Sequence, residues 1–207
     1  MYSATAAPST CWRETVTEEE VEELAYQEEG KCKSRLVRRI KRGQHEGGGG
    51  EEEVMWEGMV RREMQAGVEE AWEMVGRFGK VKSWYASVEV CVVEGQEDEP
   101  GCVRFLAGGG KAADGSPQRW VREKLLATHP TQRCFSYCIL DSSYGFQGYT
   151  ATLSILPDES ARALAHWTFQ LHPVAHSPPP VLLSFLTSIF DNMMSCLERT
   201  IAVAAHS

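Results

Sequence analysis

The sequence lacks a basic excess. Its 207 residues hold 21 Lys and Arg against 29 Asp and Glu, a formal net charge of -8. Contacts to phosphates need a basic face, so no nucleic-acid partner is expected. The chain also lacks the ~20-residue apolar run that spans a bilayer as a helix. Its longest, Val181 to Phe190, is interrupted by Ser184, Thr187 and Ser188 and closed by Asp191 and Asn192, so no integral membrane association is expected. The seven cysteines, Cys11, Cys32, Cys91, Cys102, Cys134, Cys138 and Cys196, include no CxxC pair and no repeating spacing. This argues against a disulfide framework and for reduced thiols in a cytoplasmic setting. None of the six histidines stands at ligand spacing from two cysteines or acids on one element, so no metal and no cofactor are assigned. The first residues carry acids from Glu14 onward and no continuous apolar segment, unlike a secretory signal or transit peptide. Gly108-Gly109-Gly110-Lys111 is not a phosphate loop, because a Walker motif needs glycine where Phe105 stands and Ser or Thr where Ala112 stands.

What is present is unevenly distributed. Residues 1–53 hold 12 of the 29 acids and 8 of the 21 bases, whereas residues 54–207 carry the remaining charges over nearly three times the length. Glu14 to Glu29 is acidic; Lys31, Lys33, Arg35, Arg38, Arg39, Lys41 and Arg42 form a basic cluster. A capping box at Thr17 and Glu20, with Val21, Leu24 and Ala25 at helical spacing, makes 17–42 a candidate solvated helix. Glycine and charge dominate 43–53, which reads as a flexible linker. The bases either neutralise the acids of their own element or give nuclear access or an anionic-lipid patch. Residues 1–53 are thus expected to be a charged, largely flexible extension, and 14–42 a candidate protein-partner segment.

From residue 54 the pattern changes. Val54, Trp56 and Val60 mark a short first strand, and Val68 to Phe78 an amphipathic helix stopped by Gly79, with a further turn over Val81 to Ala86. Six strand-like runs follow, at 88–93, 102–106, 119–127, 134–140, 149–156 and 163–171, separated by glycine and proline turns. After Pro178-Pro179-Pro180 a long helix carries Leu182, Phe185, Leu186, Ile189, Phe190, Met193, Leu197 and Ile201 on one stripe. Hairpin-length connections require an antiparallel sheet. The expected fold is therefore α+β: a curved seven-stranded antiparallel sheet around a long C-terminal helix, two short helices after the first strand, and a ligand cavity between sheet and helix.

Alternation assigns faces. Tyr149, Ala151, Leu153 and Ile155 share one, as do Phe135, Tyr137 and Ile139, and Ala165, Trp167, Phe169 and Leu171. The interior is aromatic. In Trp120-Val121-Arg122-Glu123-Lys124-Leu125, however, Glu123 falls on the apolar face with Val121 and Leu125. A carboxylate there must be paired, hydrogen-bonded or a proton carrier. By strand order the nearest base is Arg104, although alternation leaves its face open, because Cys102 and Leu106 compete with Val103 and Phe105. The pair is structural or catalytic, and Phe190 on the last helix is core or pocket floor.

The motifs Gly101-Cys102-Val103-Arg104, Arg122-Glu123-Lys124-Leu125, Phe135-Ser136-Tyr137, Asp141-Ser142-Ser143-Tyr144-Gly145-Phe146, Tyr149-Thr150-Ala151-Thr152 and Trp167-Thr168-Phe169 closely resemble those of the plant lachrymatory-factor synthase-like proteins. These belong to the polyketide cyclase/START-type superfamily with a helix-grip fold, and the resemblance covers about residues 54–205. It implies that Arg104 binds a substrate oxygen, that Glu123 shuttles a proton, and that Tyr137 and Tyr149 hydrogen-bond substrate or Glu123. With Phe135, Trp167, Phe169 and Phe190 these make the candidate site. The resemblance implies a small apolar partner, isomerised or cyclised in the cavity; the alternative is a non-catalytic hormone or lipid carrier or sensor of the same fold.

Overall fold

Nine antiparallel strands build one sheet in the order β1-β2-β3-β9-β8-β7-β6-β5-β4 in the computed structural model, which describes residues 18–42 and 52–206. The strands are β1 (Glu18–Glu29), β2 (Cys32–Arg42), β3 (Glu52–Gly67), β4 (Val90–Glu94), β5 (Val103–Lys111), β6 (Pro117–His129), β7 (Cys134–Ser142), β8 (Thr150–Pro157) and β9 (Arg162–Leu171). Helix α1 (Val68–Val75) and a 3-10 turn (Phe78–Ser83) link β3 to β4, and helix α2 (Pro179–Ala204) ends the fold. Five of the last six strands match the predicted runs closely, whereas β5 runs on through Gly108-Gly109-Gly110, expected as a turn, to Lys111. The buried sets fall as alternation requires: Ala151, Leu153 and Ile155 on β8, and Ala163, Ala165, Trp167, Phe169 and Leu171 on β9.

The strand count differs from the expected seven, because residues 18–42 form a β-hairpin and not a helix. Gly30, at φ +57°, allows the two-residue turn with Lys31. In β2, Cys32, Ser34 and Leu36 are buried while Lys33 and Arg35 are exposed, a period of two that the charge hides. The helical signal at Leu24 and Ala25 comes from a bulge: the β1–β2 register shifts between Glu23 and Ala25, so two successive apolar residues lie half-buried against the core. The basic cluster faces glutamates. Arg35 pairs with Glu23 at 2.7 Å, Lys33 with Glu28 at 3.0 Å and Arg39 with Glu57 at 2.9 Å; Arg38 pairs with Glu22. Of the expected linker, residues 43–51 lie outside the described residues, and Glu52 already opens β3.

Helix α1 starts where the sheet register breaks after Glu63. Glu70 in its first turn accepts a hydrogen bond from the Gly67 amide at 3.0 Å. Helix α2 is apolar enough by composition to cross a membrane (mean hydropathy 1.3 over 18 residues), but Leu182, Leu183, Leu186, Phe190, Met194 and Leu197 are spent against the sheet. Trp167 of β9 stacks on Phe190 with centroids 5.4 Å apart.

Candidate functional site

Sheet and helix separate around a cavity of about 590 Å³, within the range of ligand pockets. Its deep end is built by the β5–β6 ladder. Arg104 and Glu123 are register partners, both 6% exposed, and Arg104 Nε donates to Glu123 Oε2 at 2.6 Å. Leu106 and Cys102 are buried with Arg104, which decides the face that alternation left open. The β6–β7 register shifts between Arg122 and Glu123, a bulge beside the carboxylate that re-aims it.

Arg104 is held on three sides. Its Nη1 donates to the Phe78 carbonyl at 2.6 Å, and its guanidinium lies 3.8 Å from the centre of the Phe78 ring, a cation–π contact strengthened by burial. The Arg104 Nη2 group, by contrast, has no partner among the described residues, and Arg104 lines the cavity. An arginine fixed by two of its nitrogens offers the third to a ligand.

Tyr137 and Tyr149 stand in the same wall. Trp167 Nε1 donates to Tyr137 Oη at 3.2 Å. Burial first, then the Glu123 charge, pushes the Tyr137 phenol well above its ordinary value, against the counter-pull of Arg104. Burial and the neighbouring Tyr137 do the same to Tyr149. Both phenols therefore stay protonated and act as hydrogen-bond donors.

Of the eight residues predicted for the site, five (Arg104, Glu123, Tyr137, Tyr149 and Trp167) line this cavity. Phe135 and Phe190 lie behind it, around a void of about 20 Å³ shared with Trp84 and Arg104. Phe169 is core: it covers Gly58 of β3 and stacks on Tyr149 at 6.1 Å. Alternation placed Phe135 and Phe169 on the inward face, and helical spacing did so for Phe190, but neither pattern tells the cavity wall from the packing behind it.

Toward the mouth are residues the sequence reading did not assign. Tyr144 and Phe146 stack at 5.6 Å, and Tyr144 also meets Phe185 at 5.5 Å. Their signal was the Tyr-Gly-Phe turn between two strands. Asn192 and Tyr85 come from α2 and the loop before β4. Asn192 is exposed, and its neighbour Met193 rather than Asn192 itself belongs to the apolar stripe, so helical spacing carried no signal for it.

With the geometry in place, residues 55–202 match the family described as polyketide cyclase/dehydrase and lipid transport. The chain belongs to this family. Solved structures support the same fold. The protein XoxI from Bacillus cereus superposes with a TM-score of 0.58 at 18% identity, covering 73% of this chain and 99% of its own. An uncharacterised protein from Bacillus thuringiensis gives 0.56 at 19% identity, covering 70% and 98%. A Nitrosospira multiformis protein gives 0.56 at 16%, covering 73% and 99%. The polyketide cyclase/dehydrase family implies a small apolar ligand in the hydrophobic pocket, and its match begins after the β1–β2 hairpin, which is an addition to the shared grip.

Proposed function

We propose that the cavity binds a small apolar molecule bearing a reactive oxygen and that Arg104 and Glu123 isomerise it, as the resemblance to the lachrymatory-factor synthase-like proteins implies. The observation that carries this reading is the buried Arg104–Glu123 pair at 2.6 Å in the wall of an otherwise apolar cavity. The ligand's oxygen is taken by Arg104 Nη2 and the tyrosine hydroxyls. Glu123 accepts a proton from one position of the ligand and returns it at another, so composition and oxidation state are conserved. Negative charge developing on the ligand oxygen meets Arg104 and two neutral phenols already in place, which is where preorganised donors stabilise a transition state most.

A second reading is supported by the Phe78 carbonyl bond of Arg104: the pair ties β5 to the 3-10 turn, and the protein carries or senses its ligand without converting it. Candidate ligands, alkenyl sulfenic acids among them, are offered to wild type and to Glu123→Gln, with binding read by calorimetry and conversion by mass spectrometry. The catalytic reading expects binding within a few-fold of wild type and turnover lower by about 10²–10⁴-fold. A wild type that binds but converts nothing supports the carrier. Removing the charge also strands Arg104, at a cost of about 3–5 kcal/mol for a buried pair, so melting curves accompany the assay, and unfolding of the variant favours the structural tie.

A further inference from the structure

The polar groups of the cavity wall form two sets, and the β5–β6 ladder measures their separation. Arg104 pairs with Glu123, Leu106 with Val121 and Gly108 with Arg119. Four residues along a strand advance about 13 Å at ~3.3 Å per residue, so the Gly108 level lies that far from the buried ion pair. The intermediate level, Leu106 and Val121, is apolar, and α2 adds Ile189 and Met193 to the wall.

At the Gly108 level the chain before β4 comes in close. The Ser87 carbonyl lies 2.1 Å from where a Cβ on Gly108 would stand, and the Glu89 amide donates to the Ala107 carbonyl at 2.9 Å. Ser87 is tied in turn to α2: Asn192 Nδ2 donates to Ser87 Oγ at 3.2 Å and to Tyr85 Oη at 3.4 Å. All three side chains line the cavity. The two hydroxyls accept from Asn192, and neither donates its own proton to a protein group among the described residues. Two placed donors therefore rim the mouth. The exposed charges at this level, Glu89 and Arg119, are of opposite sign.

We propose that the cavity takes an elongated, uncharged ligand with an oxygen function at each end. One carbonyl or hydroxyl oxygen sits at Arg104 Nη2; the other sits at the Tyr85–Ser87–Asn192 cluster, with an apolar segment bridging two backbone levels about 13 Å apart along β5. The ligand is uncharged because Glu123 already neutralises Arg104, and an anion there would meet the carboxylate. The inference rests on the ligand-binding reading above and is separable from it.

Titration of the full chain with 1,10-decanediol and 1-decanol reads the difference. A mouth without partners makes the diol the weaker ligand, since its second hydroxyl loses hydration for nothing. A mouth that hydrogen-bonds makes it the stronger, by about 3- to 10-fold. Wild type is expected to prefer the diol by that factor, and Asn192→Leu combined with Ser87→Ala to reverse the preference while decanol affinity changes less than about 2-fold. A wild type that binds decanol as well as the diol overturns the two-ended ligand and leaves the cavity reading standing; failure of both alcohols to bind overturns both. Should the double variant fail to melt cooperatively, Tyr85→Phe removes one donor at constant shape, and an undiminished diol preference in it sinks the inference.

Discussion

Two buried charge clusters, one around Glu123 and Arg104 and one around Arg62, organise the molecule, and they differ in how visible they are in the sequence. Glu123 shows itself through alternation, since it shares the apolar face of Val121 and Leu125. Arg62 obeys the same rule, lying between Val60 and Met64 on the buried face of β3, but the strand expected to stop at Val60, two residues before Arg62, runs on to Gly67. Its environment explains its burial at 3% exposure. Arg62 Nε donates to Asp191 Oδ1 at 2.7 Å, and Nη2 donates to Glu198 Oε2 at 2.9 Å and Ser195 Oγ at 3.0 Å. Burial pushes the Glu198 carboxyl up, but hydrogen bonds from Arg62 and the Gln65 amide outweigh it and hold the group below its ordinary value. A depressed carboxylate contributes stability that is present above its unfolded value, near pH 4.5, and lost as pH falls through the folded one. Glu198→Gln is expected to cost about 1–3 kcal/mol at neutral pH and to flatten the acid limb of the stability curve. Urea titrations between pH 3 and 7 check this, and an acid limb as steep as wild type's would refute it.

At the scale of elements, the runs of 88–171 were legible because each strand has one face in the core and turn residues at both ends. The hairpin 18–42 was not, because its charged residues outnumber its apolar ones and a bulge at Glu23/Ala25 mimics helical adjacency. Its strand character depends on partners distant in sequence: β2 pairs with β3 from Cys32↔Arg62 to Arg42↔Glu52. The pairing of β3 with β9 has its own requirement. Gly58 lies opposite Phe169, and a Cβ at Gly58 would stand 2.2 Å from Phe169 Cζ. The ring fills the space that a side chain would take, and its other face supports Tyr149. Gly58→Val is therefore expected to destabilise by about 1–3 kcal/mol, lowering Tm by roughly 2–12 °C, and to weaken ligand binding through the displaced Tyr149. A calorimetric scan with unchanged Tm would show that Phe169 can move at no cost.

For the whole molecule, the grip encloses a cavity of about 590 Å³ whose apolar wall gains from being filled. A ligand that binds the folded chain alone stabilises it by about 2.7 kcal/mol at a concentration a hundred times its Kd, a rise in Tm of roughly 5–11 °C for a chain of this size. Saturation with a neutral alcohol or a native ligand should produce this shift in differential scanning calorimetry. Saturable binding with no shift would show that the ligand binds the unfolded chain as well as the folded one, and so does not depend on the formed cavity.

Local chemistry alone, then, determined the helix-grip order, the inward tyrosines and the odd carboxylate, because period-two burial and turn residues are properties of adjacent positions. Tertiary structure decided what adjacency cannot encode. It set the face of Arg104, which follows from the β5–β6 register, and the nine-stranded sheet, which follows from β2 finding β3. It also set the two polar ends of the cavity, which exist because α2 brings Asn192 to Ser87 across more than a hundred residues of chain.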